Sequence, residues 1–376
     1  MNLPNHGTST LVLNSTAPQL ATGIFARQPS TIVYGAFKAM GDLLNASSVI
    51  ASQLDFGHKI KLLLFPGTPL PELVQLVDFG PNCGNLELLP LPVSGTVRAF
   101  GDYFSRAKAI DPVLIWISPH SPHSASSWKI PLLLWFTRRF FWQKASLAGA
   151  VSEPLSWLFG ESVSVDRDLP YMEREHRAFS MLSGSSGTVP VRPIAFISRI
   201  QEQRKSPPLY DLLIHPGASV PSRMWPCNRY AELLPLLPPH IRIAVAGVPK
   251  DIETLRRTLP ANHAITFLSG SLEQAISAIA RSRVVLTMDS GAMHFAKVLN
   301  VPAVALFGKC DPATVIAAST SVLPIYERNF PCQPCGKPGC SQPQAYCINS
   351  IEPPTVARAL LRLLNHTTQS NFQEPG

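Results

Sequence analysis

Residues 284–307 decide the fold of this chain, and they read VVLTMDSGAMHFAKVLNVPAVALF. An apolar run ends at Asp289, small residues form a turn, and apolar residues then recur at helical spacing between Ala292 and Leu299. A second apolar run follows, so the segment predicts a strand–helix–strand unit of a parallel sheet. Asp289 then lies at the carboxyl end of a strand, and Ser290 lies at a helix N-terminus. Ligands bind at this edge of open α/β sheets and helix N-termini favour anions, so we predict a site for a phosphorylated ligand.

The bulk composition is that of a globular protein with anionic partners. The chain has 376 residues, of which 45% are hydrophobic and 15% charged, which is enough for two domains with their own cores. The net charge of +8 favours nucleotides or acidic lipids, and no nucleic-acid-binding signature is present. No apolar run reaches the about 18 residues of a membrane span, and residues 1–28 do not resemble a signal peptide. We therefore expect a cytoplasmic protein with a short N-terminal appendage over 1–28.

Strand and helix patterns alternate along the chain, which predicts an α/β fold of two doubly wound domains. Strands are predicted at 31–34, 59–65, 86–89, 113–117, 212–215, 241–246, 265–268, 284–288 and 304–307. Helices are predicted at 42–54, 71–77, 170–182 and 354–364. Ser271 and Gln274 form the sequence pattern of a capping box at the start of one further helix.

The glycine- and serine-rich stretch 183–187 is the best domain boundary. The predicted organisation is an α/β domain over 29–183, a linker over 184–192, a second α/β domain over 193–330, a four-cysteine segment over 331–350, and a C-terminal helix and tail over 351–376. Two such domains that face each other form a cleft lined by the carboxyl ends of both sheets. Nucleotide-sugar enzymes commonly use that arrangement.

Two more strand ends carry side chains suited to chemistry. The strand at 31–34 leads to Asp42 at the start of a helix, where its carboxylate could act as a general base towards a hydroxyl group. The residues alone favour the other interpretation, in which Asp42 stabilises the helix N-terminus. The strand at 212–215 leads to a glycine turn, Ser219 and Arg223, which could clamp a diphosphate. An ordinary loop with a solvated arginine is the alternative.

Four of the seven cysteines form a cluster with the spacing of a metal site. They are Cys332, Cys335, Cys340 and Cys347, with glycines and prolines between them. Four thiolates at this spacing are typical of tetrahedral ligation, and both zinc and iron are compatible with four sulfur ligands. We interpret the cluster as a structural clip between the second domain and the last helix. Two disulfides or four free thiols are less favoured, given the spacing and a reducing compartment.

The segment 131–144 mixes aromatic and cationic residues. Such a helix could lie in a membrane interface, but apolar residues nearly surround it, and a buried helix has the same pattern. We favour core packing with an exposed basic edge. Four residues just upstream follow a strand end and are candidates for an acceptor side: His120, His123, Trp128 and Lys129.

The order and spacing of these motifs resemble glycosyltransferase family 9, the heptosyltransferases of the lipopolysaccharide inner core. The resemblance covers roughly residues 30–365. Its most specific parts are MDSG at 288–291 with His294, FG at 307–308, HPGA at 215–218 with WP at 225–226, and MGD at 40–42. The resemblance implies a GT-B fold in which the C-terminal domain binds the nucleotide-sugar donor and the N-terminal domain binds the acceptor.

The same resemblance implies a role for each matched residue. Asp42 looks like the catalytic base of an inverting single displacement, and Asp289 looks like a contact to the donor sugar. Ser219 and Arg223 occupy phosphate-binding positions, and the diphosphate cradle comprises Ser290, Gly291 and His294. A ribose-binding glutamate is expected after Gly247, but this chain has VPKD at 248–251, so Asp251 is the candidate substitute. No cofactor is implied for catalysis.

The resemblance therefore implies transfer of a heptose or similar sugar, with ADP-heptose favoured as donor, to a saccharide or glycolipid acceptor. Peripheral contact with the inner face of the inner membrane is compatible with such an acceptor. A non-hydrolysing nucleotide-sugar epimerase shares the architecture and would convert donor without acceptor. Two further alternatives are an O-glycosyltransferase that acts on protein and a catalytically silent sugar-nucleotide-binding protein.

Overall fold

The computed structural model describes residues 29–92, 96–118, 129–150, 156–166, 169–183, 192–260, 264–316, 319, 321–335, 340 and 346–370. The predicted appendage and most of the predicted linker lie outside these ranges. Within them the chain forms two six-stranded sheets, and every strand pair in both sheets is parallel. The predicted α/β class is confirmed.

The first sheet has the strand order β3-β2-β1-β4-β5-β6. Its strands are β1 (Thr31–Phe37), β2 (Lys59–Leu64), β3 (Leu86–Pro90), β4 (Leu114–Ile117), β5 (Ser146–Ala150) and β6 (Glu161–Val163). Its helices are α1 (Met40–Asp55), α2 (Leu70–Leu76), α3 (Val97–Lys108), α4 (Lys129–Phe140) and α5 (Tyr171–Ser183). The apolar residues of α1, α2 and α5 pack in one core, and those of α3 and α4 pack in another on the opposite face of the sheet.

The second sheet has the order β12-β11-β10-β7-β8-β9. Its strands are β7 (Tyr210–His215), β8 (Ile243–Ala246), β9 (Ile265–Leu268), β10 (Ser282–Met288), β11 (Ala303–Phe307) and β12 (Val322–Tyr326). The helices are α6 (Ser198–Lys205), α7 (Cys227–Leu233), α8 (Pro249–Thr258), α9 (Leu272–Ala280), α10 (Gly291–Val298), α11 (Pro312–Val315) and α12 (Pro353–Ser370). The last helix packs its apolar face on this second sheet.

Local signals in the sequence are confirmed where they are strong. The Ser271 hydroxyl accepts from the Gln274 amide at 3.2 Å, and the Gln274 side chain accepts from the Ser271 amide at 3.0 Å, as a capping box requires. The predicted strands are present, with ends shifted by up to three residues. The sequence-based prediction lacks helices α3, α6 and α11 and strands β5, β6 and β12. Strand β5 reads SLAGA, and such small residues have little β propensity.

Helix α4 buries one face only, so the prediction of core packing is right for half of the helix. Ile130, Leu134 and Thr137 are buried against the sheet. Leu132 and Phe136 are 41% and 43% exposed, so the solvent-facing edge is apolar as well as basic. A helix on the outside of a sheet packs against that sheet on one face only. The apolar pattern of the sequence does not reveal whether another layer of structure covers the opposite face.

The two domains meet where α1 and α10 begin. A Cβ atom on Gly41 would lie 2.5 Å from His294 Nε2, and one on Gly291 would lie 2.7 Å from Met40 Cε. Glycine is required at Gly41 because any side chain would collide with a buried imidazole. This close approach places the carboxyl end of β1 opposite the carboxyl end of β10, so the predicted cleft lies between the two sheets.

Candidate active site

Asp42 lies in the first turn of α1, directly after a distorted end of β1. Gly35 and Ala36 have φ values of 103° and 119°, and the β1–β2 register shifts there. A positive φ is rare for alanine, so the strand end next to Asp42 is strained, as is common at functional sites. Burial raises the pKa of Asp42 to about 7, although Arg223 and the amide of Ala39 lower it. A carboxyl group with this pKa can both take up and release a proton near neutral pH.

Arg223 and Asp289 form an ion pair on the opposite wall of the cleft. Arg223 ends a short 3₁₀ turn after β7, and its Nε lies 3.3 Å from Asp289 Oδ2. Its Nη2 donates to the Cys310 thiol at 3.5 Å. Within the described part of the chain, neither Arg223 Nε nor Asp289 Oδ2 has a hydrogen-bond partner, although both atoms are buried. These are the same two atoms that the ion pair joins, so charge attraction holds them together without hydrogen-bond geometry.

The N-terminus of α10 faces the same cleft. Ser290 precedes the helix without capping it, and its hydroxyl instead lies 3.2 Å from the Thr287 hydroxyl. Burial, together with the positive charges of Lys297 and Arg223, lowers the pKa of His294 to about 3. His294 is therefore neutral at physiological pH and can offer a ring N–H or a lone pair. The helix start, Arg223 and neutral His294 together form a surface suited to a diphosphate.

The start of α8, directly after β8, brings Asp251 to the same edge of the sheet. A Cβ atom on Gly217 would lie 2.7 Å from Asp251 Oδ2, so the carboxylate rests directly against this glycine turn. Asp251 is in the first turn of α8, and burial raises its pKa. Ser219 is exposed two residues after the glycine. Asp251 and Ser219 therefore border the same glycine turn.

The acceptor-side candidates are described only in part. His120, His123 and Trp128 lie outside the described residues, and Lys129 is exposed at the start of α4.

Glu175 is a buried acidic residue that sequence reasoning missed. It accepts from Trp116 Nε1 at 2.8 Å, from the Ser118 hydroxyl at 2.7 Å and from the Tyr34 hydroxyl. Burial raises the pKa of Glu175, and its negative charge adds to the raised pKa of Asp42. A signal existed in the sequence, since Glu175 lies four residues from Phe179 on the apolar face of a predicted helix.

The four-cysteine segment packs beside the end of β11. The Cys335 amide donates to the Lys309 carbonyl at 2.7 Å, and Cys347 Sγ would lie 3.0 Å from a Cβ atom on Gly308. Burial raises the pKa of Cys347, and neighbouring Cys340 and Cys332 add to this. Among the residues that the structure describes, no group of three or more histidine, cysteine or acidic side chains could hold a metal ion. Ligation by all four cysteines therefore stays a prediction.

A sequence profile identifies the family of this chain, and solved structures that superpose on it show its fold. A sequence profile for glycosyltransferase family 9 (heptosyltransferase) matches residues 125–346. Lipopolysaccharide heptosyltransferase 2 of Escherichia coli (strain K12) is 37% identical over 106 residues, which are 26% of this chain and 30% of that relative. The match thus spans less than a third of the curated relative.

Two solved structures share the architecture. E. coli heptosyltransferase WaaC with ADP superposes with a TM-score of 0.65 at 15% identity, covering 89% of this chain and 99% of that one. Dodecameric iron-containing heptosyltransferase TibC in complex with ADP-D-β-D-heptose superposes with a TM-score of 0.52 at 10% identity, covering 90% and 77%. These likenesses show the two-domain GT-B fold. Because the profile covers more than half of the sequence, the chain belongs to glycosyltransferase family 9, the heptosyltransferase family.

Proposed function

We propose that this protein transfers a heptose from ADP-heptose to a saccharide acceptor of the lipopolysaccharide type, with inversion at the anomeric carbon. The observation that carries the proposal is the proximity of charged groups from both domains. Asp42 of the first domain faces the Arg223–Asp289 ion pair of the second across the cleft. Relatives named as heptosyltransferases, one of them solved with ADP, support the choice of donor.

In the proposed reaction an acceptor hydroxyl attacks the anomeric carbon while Asp42 takes its proton. The new bond joins the acceptor oxygen to this carbon, and the bond from the carbon to the diphosphate oxygen breaks. Negative charge then develops on the leaving diphosphate. Arg223 and the N-terminus of α10 stabilise that charge, and Asp289 orients the sugar. Asp251 and Ser219 hold the nucleotide side of the donor.

The direct test is a transfer assay with purified protein, ADP-heptose and a heptose-deficient lipopolysaccharide core acceptor. Product should form only when donor and acceptor are both present. GDP-, UDP- and dTDP-linked sugars serve as donor controls. A mixture of unglycosylated proteins, added in place of the lipopolysaccharide acceptor, tests whether the enzyme is an O-glycosyltransferase that acts on protein. Donor conversion without acceptor would favour an epimerase. Donor binding without any conversion would favour a silent binding protein.

The pH dependence of the reaction should report Asp42. A general base acts in its ionised form, so kcat/KM is expected to rise with pH and level off above about 7, the pKa of Asp42. Below that value the rate should fall about tenfold per pH unit. Steady-state kinetics between pH 5 and 9 measure the profile. A profile that is flat from pH 5 to 7 would remove Asp42 from this role.

We propose further that Cys332, Cys335, Cys340 and Cys347 hold a structural metal. Four thiols on one segment fit zinc or iron, and the named iron-containing relative supports iron as a candidate. The thiolates would clip the segment to the end of β11, away from the reacting groups.

The metal proposal predicts about one equivalent of zinc or iron per chain by elemental analysis. Cys335→Ser and Cys347→Ser should each lose most of this metal and lower the unfolding temperature, because a closed structural site contributes folding free energy. Cys83→Ser is the matched control, since Cys83 is an exposed free thiol outside the segment. Wild-type protein that contains no metal as purified, and that unfolds at the same temperature as Cys335→Ser and Cys347→Ser, would contradict the proposal.

A lipid-linked saccharide acceptor would bring the protein to the inner face of the inner membrane, and we propose peripheral contact there. No helix in the described ranges is both long and apolar enough to cross a bilayer.

A further inference from the structure

The first domain exposes a set of large apolar side chains on neighbouring helices. Leu132, Phe136 and Phe140 repeat every four residues along α4, and Phe140 is 56% exposed. Phe100 of α3 and Phe141, which follows α4, are 36% and 37% exposed. We call these five residues the aromatic face. Because they lie on two elements far apart in sequence, the face is a product of tertiary packing.

The aromatic face is continuous. The ring of Phe104 lies between its members, with centroid distances of 6.1 Å to Phe100, 6.0 Å to Phe136 and 5.5 Å to Phe141. Phe136 and Phe140 have centroids 4.4 Å apart. Single exposed apolar residues are ordinary on a protein surface, whereas a contiguous patch marks a place of contact.

Buried hydrogen-bonding groups join α3 to α4 and to Trp142 on the side that faces the sheet. The Trp142 indole donates to the Ala107 carbonyl at 2.8 Å, and the Tyr103 and Thr137 hydroxyl groups lie 3.3 Å apart. Tyr103, Thr137 and Trp142 are all buried. These contacts join α3 to α4 and the residue after it behind the face, while the four phenylalanines of the face stay 36% to 56% exposed.

The rim of the aromatic face is positive. Residues 97–144 contain seven lysines and arginines against two aspartates. The exposed cations include Arg98, Arg139 and Lys144, and the Arg139 guanidinium lies 6.0 Å from the centre of the Phe140 ring. A second copy of this chain would bring like charges together around the face, which opposes self-association. An anionic bilayer interface complements both the apolar centre and the basic rim.

We propose that the aromatic face is a docking surface for an anionic lipid bilayer. Helices α3 and α4 follow β3 and β4, so both begin at the carboxyl edge of the sheet, where the cleft lies. The face runs from Phe100 in the first turn of α3, at that edge, to Phe140 and Phe141 at the far end of α4. A bilayer bound to the face would therefore lie along the outer side of the first domain and reach the cleft edge at the start of α3. A bilayer docked on this face would carry the lipid-anchored acceptor of the proposed transfer, and this role rests on the proposed function. Binding of the face to the bilayer does not depend on that function.

The experiment is co-sedimentation of the full chain with vesicles of phosphatidylcholine alone or with 30% phosphatidylglycerol. Wild-type protein should bind the anionic vesicles, and binding should weaken with added salt because the rim charges are screened. Phe136→Ser/Phe140→Ser should lower the partition coefficient about tenfold or more, since two apolar side chains no longer enter the interface. For Arg139→Gln/Lys144→Gln, the ratio of the partition coefficients for anionic and neutral vesicles should fall about tenfold. The weak binding to neutral vesicles should stay the same.

Phe56→Ser is the matched control, because Phe56 is 59% exposed and lies outside the face. This variant should bind vesicles like wild type, and circular dichroism melts check that every variant is folded. Wild-type binding no stronger than that of Phe136→Ser/Phe140→Ser would overturn the proposal. Concentration-dependent dimers in light scattering that the same double variant abolishes, without vesicle binding, would overturn it in favour of self-association.

Transfer to a water-soluble acceptor fragment separates this proposal from the proposed function. The face variants should keep wild-type turnover on the soluble fragment and lose turnover on acceptor embedded in vesicles. If wild type binds vesicles but transfers to neither acceptor, the docking surface stands and the proposed function fails. If turnover on both acceptors is the same for wild type and the face variants, the acceptor role of the face is wrong.

Discussion

Asp42→Asn is expected to lower kcat by about a hundredfold to ten-thousandfold while the dissociation constant for ADP changes less than about twofold. Asparagine keeps the size and much of the polarity of the side chain but cannot accept the proton of the attacking hydroxyl. The residues proposed to hold the donor belong to the other domain, so donor binding should survive. Steady-state kinetics and calorimetric titration with ADP measure the two effects.

Loss of folding does not explain such a result, because Asp42 is expected to lower stability at neutral pH. Its pKa is about 7 in the folded chain and 3.8 in the absence of the fold. The unfolded chain therefore releases this proton first, and the free energy of unfolding falls as pH rises from about 4 to 7. Asp42→Asn should unfold at the same temperature as wild type or higher. Asp102→Asn, at an exposed position on α3, is the control, and wild-type turnover by Asp42→Asn would exclude the general-base assignment.

Arg223→Ala is expected to weaken binding of both ADP-heptose and ADP by about 30-fold to several-hundredfold. The side chain of Asp289 is only 8% exposed, and removal of its cation leaves an unpaired buried carboxylate that also repels the diphosphate. Truncation of one member of such a pair costs about 2–4 kcal/mol, and each 1.4 kcal/mol is about tenfold in affinity. Titration with ADP tests the binding half of this prediction without any acceptor.

Two comparisons sharpen the Arg223 experiment. Arg223→Lys should recover part of the affinity, because lysine keeps the charge but loses the planar fork of donors. Arg229→Ala should bind ADP like wild type, since Arg229 pairs with Glu232 and Glu352 at the surface of the same domain. Arg223 lowers the pKa of Asp42, so this pKa should rise above about 7 in Arg223→Ala. The rise of kcat/KM with pH should therefore shift to higher pH in the residual activity of this variant. ADP affinity unchanged by Arg223→Ala would place the diphosphate elsewhere.

Local features of the site are readable from the sequence. Asp289 and Ser290 are placed by an apolar strand, a small-residue turn and a helical pattern, all within sixteen residues. The capping box at Ser271 is equally local, and the structure confirms it. These features depend on backbone periodicity and on hydrogen bonds between near neighbours, which a single sequence encodes directly.

Other features depend on which surfaces meet in space. Burial raises the pKa of Asp42, the charges on Asp289 and Glu175 raise it further, and the charge on Arg223 lowers it. These three charged residues lie 133 to 247 positions away in the chain. Desolvation and Coulomb interactions depend on distance in space and on the protein atoms that displace water, so sequence spacing cannot give them.

The sequence by itself determined the α/β class, the positions of most strands and the residues that stand at their carboxyl ends. Only the tertiary structure decided that Glu175 is buried and accepts from three donors beside the cleft. It also decided that one face of α4 stays exposed among the described residues. The physical reason is the same in both cases. An apolar helical pattern shows that a face can be buried, whereas the packing of neighbouring layers decides which face is buried and which one is left for water, a ligand or a membrane.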